Sequence, residues 1–383
     1  MQAFPPDRKR IAFIKQGLFS YSNVRTLEQL RRVFPEYAVE VVDVRDDILR
    51  AHKLTAATNI LAACGSFAVD LLTRKRTLRE VYYRTPWFFQ RLRKMLAARF
   101  AGRQKAYAFT LATQSLYDAS VLGIPHFIYT DHTHLTNLYY PAFDRSRLLA
   151  PGIIALEREA YQRATRVLVM GSHVARSLIE HYGLPANRAV VIGAGSNIDP
   201  SPLPLENDGY SNQRAIFVGV EWERKGGPLL MEAFRKVQRV LPNASLTIVG
   251  CKPTVRLPNV TVLGRIPRDA VKRELTRASL FVFPTRIEPF GIAPIEAHLQ
   301  MLPVVASDLG AIPDIVLDGK TGALTPSDDP NKLATAIIDY LQHPDKCREH
   351  GEAGREHVLE NFTWDTTGDR MRAAILASLP SST

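Results

Sequence analysis

The sequence predicts an α/β fold of two domains, each built around a parallel sheet. Short apolar stretches of strand length alternate with amphipathic stretches of helix length along the whole chain. The 383 residues, 46% of them apolar, are enough for two hydrophobic cores. A proline-rich segment without periodicity lies near residues 200–210, between the two sets of strands, and is typical of a linker.

The apolar runs predict the strands in order. In the first half these are residues 11–14, 39–44, 106–111, 126–129, 166–169 and 189–192. In the second half they are residues 215–218, 245–249, 260–263, 280–283 and 303–306. No internal repeat is visible in the sequence.

The composition also bears on where the protein works. The first residues lack an apolar stretch of signal-peptide form, and no run is as long as a membrane span. The three cysteines, Cys64, Cys251 and Cys347, are far apart and lack the spacing of metal ligands. We therefore expect reduced, packed cysteines in a cytoplasmic protein. A peripheral location at the membrane is the alternative.

Most of the net charge of +11 comes from one segment, residues 74–105, which holds eleven Lys or Arg against one acid, Glu80. Thr85 and Pro86 predict a helix start, and the helix would run to about residue 100 with its apolar residues on one face. Such a helix fits an anionic membrane surface, and equally a domain helix that packs its apolar face. Nucleic acid is a poorer partner, because the chain shows no recognition motif and no stacking platform.

The most informative residues are Glu288 and Glu296, eight positions apart around a Pro-Phe-Gly turn. Glu288 lies on a loop after a strand, and Pro294 is expected to open a helix with Glu296 in its first turn. Gly291 permits close approach of backbone to a ligand, and free amides at a helix start can donate to oxygen-rich groups. The pair indicates a sugar-like ligand, although the helix dipole alone also favours glutamates there.

The chain from residue 280 to 326 resembles the nucleotide-binding half of the retaining glycosyltransferases of family 4. The Glu-x7-Glu signature of that family falls on Glu288 and Glu296, and Ser-Asp-x-Gly-x-x-Pro-Asp follows at residues 307–314. The resemblance implies the GT-B architecture, in which two Rossmann-like domains with parallel sheets face a central cleft.

The same resemblance implies the division of the chain. Residues 1–203 would form an acceptor-side domain, and residues 204–360 a nucleotide-sugar-binding domain. Residues 361–383 would form a helix that crosses back to the N-terminal domain.

The resemblance further assigns the donor contacts around the glutamates. Glu296 would bind the ribose hydroxyls, and Glu288 would hold sugar hydroxyls and orient the anomeric carbon. Their neighbours Phe290, Gly291 and Ile292 would contact the donor as well.

A second cluster follows the strand at residues 215–218. Arg224 and Lys225 precede a glycine pair and a helix that Pro228 is expected to start. Two cations at a helix N-terminus are unfavourable next to the positive end of the helix dipole, and a bound diphosphate would compensate their charge. The simpler alternative is that both are surface cations of a loop. The family often has arginine where this chain has Val220, and Arg224 could supply that charge from another position.

Two glycine turns are further donor-side candidates. Gly17 follows the first strand and could present amides to a phosphate, although G-x-G-x-x-G is absent. Arg265 lies in a turn where the family has a loop that closes over the nucleotide base.

The segment around residues 124–134 is the acceptor-side candidate. Asp131, His132 and His134 are residue types that bind divalent ions, but no further ligand cluster completes a site. The resemblance instead places His132 beside the donor sugar, with Asp131 and Thr133 toward the acceptor, and leaves His126 and His134 with structural roles.

The predicted function is transfer of a sugar from a UDP- or GDP-sugar to an unknown sugar, lipid or small-molecule hydroxyl, with His132, Glu288, Lys225 and Arg224 as catalytic residues. Neither a metal nor a cofactor is expected, because Arg224, Lys225 and amides near Gly17 would stabilise the leaving diphosphate. A glycosidase-type carboxylate pair would leave the phosphate-binding features without purpose. A non-catalytic nucleotide-sugar or membrane-surface binding protein and a nucleotide-sugar epimerase are the alternatives.

Overall fold

A computed structural model describes residues 8–17, 21–50, 52–114, 117–198 and 208–379. The strands of the first sheet are β1 Arg10–Lys15, β2 Ala38–Asp43, β3 Tyr107–Thr113, β4 His126–Thr130, β5 Arg166–Val169 and β6 Ala189–Val191. Those of the second are β7 Arg214–Val218, β8 Ser245–Val249, β9 Val260–Gly264, β10 Leu280–Phe283, β11 Val304–Ser307 and β12 Gly322–Thr325.

The helices lie between these strands and after them. The N-terminal half has α1 Tyr21–Val33, α2 Lys53–Ser66, α3 Ala68–Leu72, α4 Leu78–Val81, α5 Pro86–Phe100, α6 Pro151–Arg163 and α7 Ser172–Glu180. The C-terminal half has α8 Gly227–Val240, α9 Arg268–Thr276, α10 Ile292–Leu299, α11 Ile312–Ile315, α12 Pro330–Gln342, α13 Pro344–Asn361 and α14 Trp364–Leu376. A π-helical turn spans Val44–Leu49, and 3₁₀ turns span Gln104–Ala106, His134–Tyr139, Arg145–Arg147, Ala186–Arg188 and Asp208–Asn212.

Both sheets are six-stranded and parallel, with the orders β2-β1-β3-β4-β5-β6 and β12-β11-β10-β7-β8-β9. This confirms the predicted α/β fold with two parallel sheets. The central strands are apolar almost throughout because helices cover both faces of each sheet; β10, for example, is buried at all four positions.

All eleven predicted strands are present, with ends within two residues of the predicted ones. The twelfth, β12, was missed. Its sequence, Gly-Ala-Leu-Thr, has no run of β-branched or aromatic residues, and the glycine before Ala323 was interpreted as part of a turn. The boundary between residues 203 and 204 and most of the predicted linker fall within residues 199–207, which lie outside the described residues. The end of the linker is described and belongs to the 3₁₀ turn Asp208–Asn212.

Helix α14 packs against the N-terminal domain although it comes last in the chain. Met371, Ala374 and Ile375 are buried in the same apolar cluster as residues of β1 and α1. Arg372 forms an ion pair with Glu36 at 2.7 Å, one of several polar contacts that fix the helix there.

Helix α5 begins as expected, with the Thr85 hydroxyl accepting a hydrogen bond from the Phe88 N–H at 3.0 Å. Its apolar side is buried in the N-terminal core through Phe88, Leu92 and Leu96. The interpretation of this helix as a membrane-facing element is therefore corrected: its apolar face is already covered by the protein, and only its charged side is exposed. None of the described helices combines the length and the apolar character needed to cross a membrane.

Candidate functional site

The candidate site lies where the strand order of the second sheet reverses. In the second sheet the chain leaves β7 toward β8 on one side, and β10 pairs with β7 on the other. Ligands of open parallel sheets bind outside the carboxyl ends of strands at such a point. Lys225 follows β7 and Glu288 follows β10, so the two loops flank this position.

Lys225 and Glu288 form a buried ion pair between these loops. Arg224 lies at 3.6 Å from the same carboxylate, and its guanidinium also donates to the carbonyl of Ile287 at 2.7 Å. Burial lowers the pKa of Lys225, against the opposing effect of the Glu288 charge. The structure thus brings together three of the four predicted catalytic residues.

Two glycines, one after β7 and one after β11, allow the backbone to pass close to the Glu288 loop. Gly226 has φ +76°, and a Cβ there would lie 1.7 Å from the carbonyl oxygen of Pro284. Gly310 has φ +61°, and its Cβ would lie 2.0 Å from the carbonyl oxygen of Glu288. Any side chain at either position would displace the Glu288 loop.

Glu296 lies on α10, the helix that follows the Glu288 loop. Gly291 caps this helix with φ +112°, and the helix begins at Ile292, two residues before the predicted start at Pro294. Burial raises the pKa of Glu296 to about 7, although the positive charge of Arg268 and a hydrogen bond from the Asn197 backbone oppose the rise. A ligand that donates hydrogen bonds to this carboxylate would favour its ionised form.

Ile292 is half-buried, whereas its neighbour Phe290 is buried in the core of the C-terminal domain and contacts Phe362 with 6.2 Å between ring centroids. The Phe290 ring packs inside the protein, so the donor contact predicted at this residue, which stays a prediction, would be made by its backbone. At the helix start, the backbone of this turn is then the part left to contact a donor.

Gly17 has the left-handed conformation expected of a glycine turn, with φ +55°. Its N–H, however, donates to the Asp43 carboxylate at 2.9 Å, and Lys15 contacts the same carboxylate at 2.5 Å. The Gly17 amide is therefore already bonded within the protein, whereas the role of the amides near Gly17 toward a diphosphate stays a prediction. Further amides of this turn belong to residues 18–20, outside the described residues.

Across the cleft, His132 and Asp131 line a cavity of about 280 Å³ together with Pro289 of the Glu288 loop. His132 stacks on Tyr140 at 6.3 Å between ring centroids, and the Tyr140 hydroxyl donates to the Glu288 carbonyl at 3.0 Å. The acceptor-side residues are therefore joined to the donor-side loop by direct contact between the domains.

The buried surroundings set the protonation of this cluster. Burial, and then the positive charge of Arg84, lower the pKa of His132 to about 4, so the imidazole is neutral at pH 7. Burial raises the pKa of Asp131, and the nearby Glu288 charge raises it further. The Nδ1 atom of His132 is buried and has no hydrogen-bond partner among the described residues.

Thr133 also borders this cavity, but its hydroxyl is engaged within the protein. It accepts from the Thr136 N–H at 3.2 Å and contacts the Ser177 hydroxyl at 2.9 Å. This hydroxyl therefore has a helix-capping role, and the acceptor contact predicted for Thr133 stays a prediction. His126 bonds Thr110 at 2.7 Å and His134 accepts from the Leu149 N–H at 2.9 Å, which are structural roles.

Arg265 lies at the edge of a second cavity, of about 440 Å³, at the carboxyl ends of β7, β8 and β9. Val220 and Lys252 line the same cavity. Lys252 and Arg265 therefore place two cations where the arginine expected from the family is replaced by valine. The charge of Arg224 is already matched, because Arg224 pairs with Glu221 at 2.5 Å as well as lying near Glu288.

Two residues of the cleft, Arg84 and His173, were not predicted from the sequence. Arg84 lines the 280 Å³ cavity, and among the described residues no carboxylate lies within 4.0 Å of its guanidinium. His173 is buried, and neither ring nitrogen has a partner among the described residues. Burial and then the proximity of His132 lower its pKa to about 3. Neither residue lies in a motif that could have pointed to it.

A contact across the cleft joins α7 to the C-terminal domain. Asp314 accepts hydrogen bonds from the Ser172 N–H and hydroxyl, both at 2.7 Å. Asp314 thereby caps the N-terminus of α7 from the other domain. The described residues contain no group of three or more His, Cys, Asp or Glu side chains arranged to hold a metal ion.

In chemical terms, one side of the cleft offers cations and a carboxylate, and the other offers a neutral imidazole. Lys225, Lys252 and Arg265 can bind a diphosphate, and Glu288 and Glu296 can accept hydroxyl hydrogen bonds. The arrangement is suited to a ligand that carries both phosphate and sugar groups.

Comparison with known proteins agrees with this description. Residues 50–199 match the family model described as Glycosyltransferase Family 4, and residues 212–343 match that described as Glycosyl transferases group 1. The two matched ranges together cover most of the chain: the first holds β3 to β6 and the second holds β7 to β12.

Two similar proteins come from Mycolicibacterium smegmatis. An alpha-maltose-1-phosphate synthase is 30% identical over 243 residues, which are 55% of this chain and 62% of that protein. A GDP-mannose-dependent alpha-(1-6)-phosphatidylinositol monomannoside mannosyltransferase is 32% identical over 166 residues, 39% of this chain and 44% of that protein. The chain thus spans about half the length of the relatives it matches.

Solved structures match over nearly the full length. The sucrose-phosphate synthase of Thermosynechococcus elongatus has a TM-score of 0.67 at 18% identity, covering 97% of this chain and 99% of that one. The UDP complex of HepE from Anabaena has a TM-score of 0.67 at 16% identity, covering 97% and 100%. These matches confirm the predicted GT-B architecture.

Proposed function

The chain belongs to family 4 of the glycosyltransferases, and we propose that it moves a sugar from a nucleotide-diphosphate sugar to a hydroxyl acceptor, with retention of anomeric configuration and without a metal. The buried Lys225–Glu288 pair carries this proposal, because it lies at the strand-order reversal and is linked through Tyr140 to His132 across the cleft. A cation, a carboxylate and a neutral imidazole are thereby assembled around one space.

The donor is proposed to be a UDP- or GDP-sugar. One relative is named for dependence on GDP-mannose, and one structural neighbour binds UDP. In this chain the cations Lys252 and Arg265 line the cavity beyond β7 and β8, which supports a diphosphate there. Glu296 would accept the ribose hydroxyls, whose hydrogen bonds favour its ionised form.

In the proposed reaction, Glu288 holds sugar hydroxyls and orients the anomeric carbon. The acceptor oxygen forms a bond to that carbon on the face from which the phosphate leaves, and the acceptor proton passes to the departing phosphate oxygen. Lys225 stabilises the negative charge that grows on the diphosphate, a preorganised electrostatic contribution. His132, neutral at pH 7, binds a hydroxyl of the transferred sugar.

The acceptor would enter the 280 Å³ cavity beside His132 and Asp131. Arg84 borders this cavity with no carboxylate of the described residues within 4.0 Å, and burial lowers its pKa. Glu157 lines the same cavity and its charge opposes the effect of burial on Arg84. A half-buried guanidinium that has no carboxylate of the described residues within 4.0 Å is nevertheless costly, so an anionic group on the acceptor would compensate it. We therefore include a phosphate or carboxylate on the acceptor in the proposal.

A thermal-shift panel of UDP, GDP, ADP and their sugar conjugates tests the donor site. A ligand that binds only the folded state raises the apparent stability. We expect one nucleotide class to stabilise the wild type and to lose this effect in Glu296→Ala. Glu232→Ala, at an exposed position of α8, is the matched control and should behave as wild type. Absence of any stabilisation would favour a protein that has lost the donor site.

Product analysis then tests the reaction itself. With the donor identified, Glu288→Ala should bind it nearly as well as wild type but turn over more slowly, whereas Glu296→Ala should bind it weakly. Equal losses of affinity in both variants would contradict the separate roles. NMR of the product gives its anomeric configuration, and the same configuration as in the donor would support retention. Rates that are unchanged in EDTA would support a reaction without a metal. Epimerised donor without transferred sugar would identify an epimerase instead.

A further inference from the structure

Helices α2 and α3 present an apolar surface to solvent. We define their outer face by Leu54, Ile60, Leu61, Val69 and Leu72; Leu54 and Leu72 are 85% and 83% exposed, Leu61 and Val69 73% and 72%. Residues 54–69 contain no charged side chain. A charge-free helix is typical of a protein core, yet one whole side of this one lies outside.

The inner side of α2 is the more polar one. Thr55 and Asn59 are buried, and Asn59 donates to the Tyr82 carbonyl at 2.5 Å and accepts from the Thr85 hydroxyl at 2.7 Å. These bonds fix the rotation of the helix, because turning the apolar side inward would leave the Asn59 amide unpaired. The exposure of the outer face is therefore built into the packing of α2.

Cations border this face at both ends. Lys53 precedes it, and Arg74, Lys75 and Arg79 follow it, all of them exposed. The segment from residue 53 to 79 holds five Lys or Arg and one acid, Asp70, which pairs with the buried Arg76 at 2.9 Å. An apolar helix face with cations along its border matches the interface of an anionic bilayer.

We infer that the outer face of α2 and α3 inserts into the surface of a membrane that contains anionic lipids. A second copy of the chain is a poorer occupant, since pairing two such faces would bring their cations together in molecules of net charge +11. The surface differs from the one that the sequence suggested on α5, whose apolar side is buried.

The face lies close to the acceptor cavity. On their inner side, Ala63 of α2 and the following Phe67 pack in one cluster with Leu149 and Ile153, and the latter two line the cavity beside His132. A membrane at the outer face would thus be separated from the cavity by one layer of side chains. That an acceptor reaches the site from the lipid surface rests on the proposed function; the membrane contact itself does not.

Vesicle flotation tests the contact. We expect the full chain to float with vesicles of phosphatidylcholine and phosphatidylglycerol, and at least tenfold less with phosphatidylcholine alone or in high salt. The variant Leu61→Glu/Leu72→Glu should lower binding to the anionic vesicles by at least tenfold. The matched control is Leu122→Glu, since Leu122 is 95% exposed but lies outside α2 and α3. Absence of flotation at low salt, or an equal loss in the control, would overturn the inference.

Cys64 offers a second measurement, because it is exposed on α2 whereas Cys347 is buried. In a Cys251→Ser background, an environment-sensitive dye on Cys64 should shift to the blue on anionic vesicles; an unchanged spectrum while the protein floats would overturn insertion of this face. A wild-type dimer in light scattering that Leu61→Glu/Leu72→Glu dissociates would assign the face to a second copy. Nucleotide thermal shifts of the same variants should stay unchanged, which separates this test from that of the donor site.

Discussion

The two sides of the cleft are built on the same plan of six parallel strands but treat their charges differently. On the C-terminal side, Lys225 and Arg224 are matched by Glu288 and Glu221 before any ligand arrives. On the N-terminal side, Arg84 borders the cavity with no carboxylate of the described residues within 4.0 Å.

The difference suggests two ways of preparing a site. A matched pair keeps its geometry in the free protein, so it can be ready for charge that develops only during reaction. An unmatched cation gains its partner when the substrate binds, so it serves recognition. We therefore expect changes on the C-terminal side to act mainly on turnover, and changes at Arg84 on acceptor binding.

The largest effect is expected for Lys225→Met. It removes the cation proposed to stabilise the leaving diphosphate, and loss of one such group typically lowers kcat by about 10²–10³-fold. Steady-state release of the nucleotide diphosphate would measure it. Lys225→Arg should recover part of the activity, because it keeps the charge.

Loss of Lys225 also leaves Glu288 buried without its main partner, which can destabilise a protein by roughly 3–5 kcal/mol. The melting temperature of each variant must therefore be measured beside its rate. Lys236→Met is the matched control, because Lys236 pairs with Glu232 on the surface of α8. A folded Lys225→Met protein with wild-type kcat would contradict the assigned role.

A smaller, more selective effect is expected for Arg84→Met. A hydrogen bond to a charged group contributes about 1.5–3 kcal/mol, so acceptor KM should rise roughly 10- to 100-fold while donor KM stays unchanged. Arg91→Met, at an exposed position of α5, is the control. Inorganic phosphate should compete with the acceptor in wild type and not in Arg84→Met. A rise in donor KM alone would contradict the separation of the two sides.

The smallest effect is a pH dependence of donor binding through Glu296, whose pKa in the free protein is about 7. In the proposed donor site the hydroxyls bind the ionised carboxylate, so binding would displace a proton once the pH falls below that value. Affinity for the nucleotide-sugar should therefore fall by at most about tenfold between pH 8 and pH 6. Calorimetry at both pH values measures it, and Glu296→Gln should bind weakly with a flat profile. An equal pH dependence in Glu296→Gln would assign the titration to another group.

The comparison also explains what could be predicted from the sequence. Glu288, Glu296, Arg224 and Lys225 lie on short segments next to glycines or prolines, so local pattern and family resemblance point to them. Strands with continuous apolar runs were equally visible, whereas β12, with only Gly-Ala-Leu-Thr, was not.

The acceptor side depended on contacts that no local pattern records. Arg84 and His173 reach the cleft only through packing between segments that are distant in sequence. The Gly17 amide was expected to be free, but Asp43, 26 residues later, occupies it. The side on which α2 exposes its apolar residues is likewise set by Asn59 and Thr85 together.

Helix α14 has a consequence for how the protein is made. Met371, Ala374 and Ile375 complete an apolar cluster that begins with Ile11, so the N-terminal domain cannot finish its core while these late residues are still unsynthesised. During translation its exposed apolar surface would persist until the whole C-terminal domain has emerged. Domains that fold as units usually do so in order of synthesis. Here the N-terminal domain would be synthesised first but would complete its hydrophobic core last.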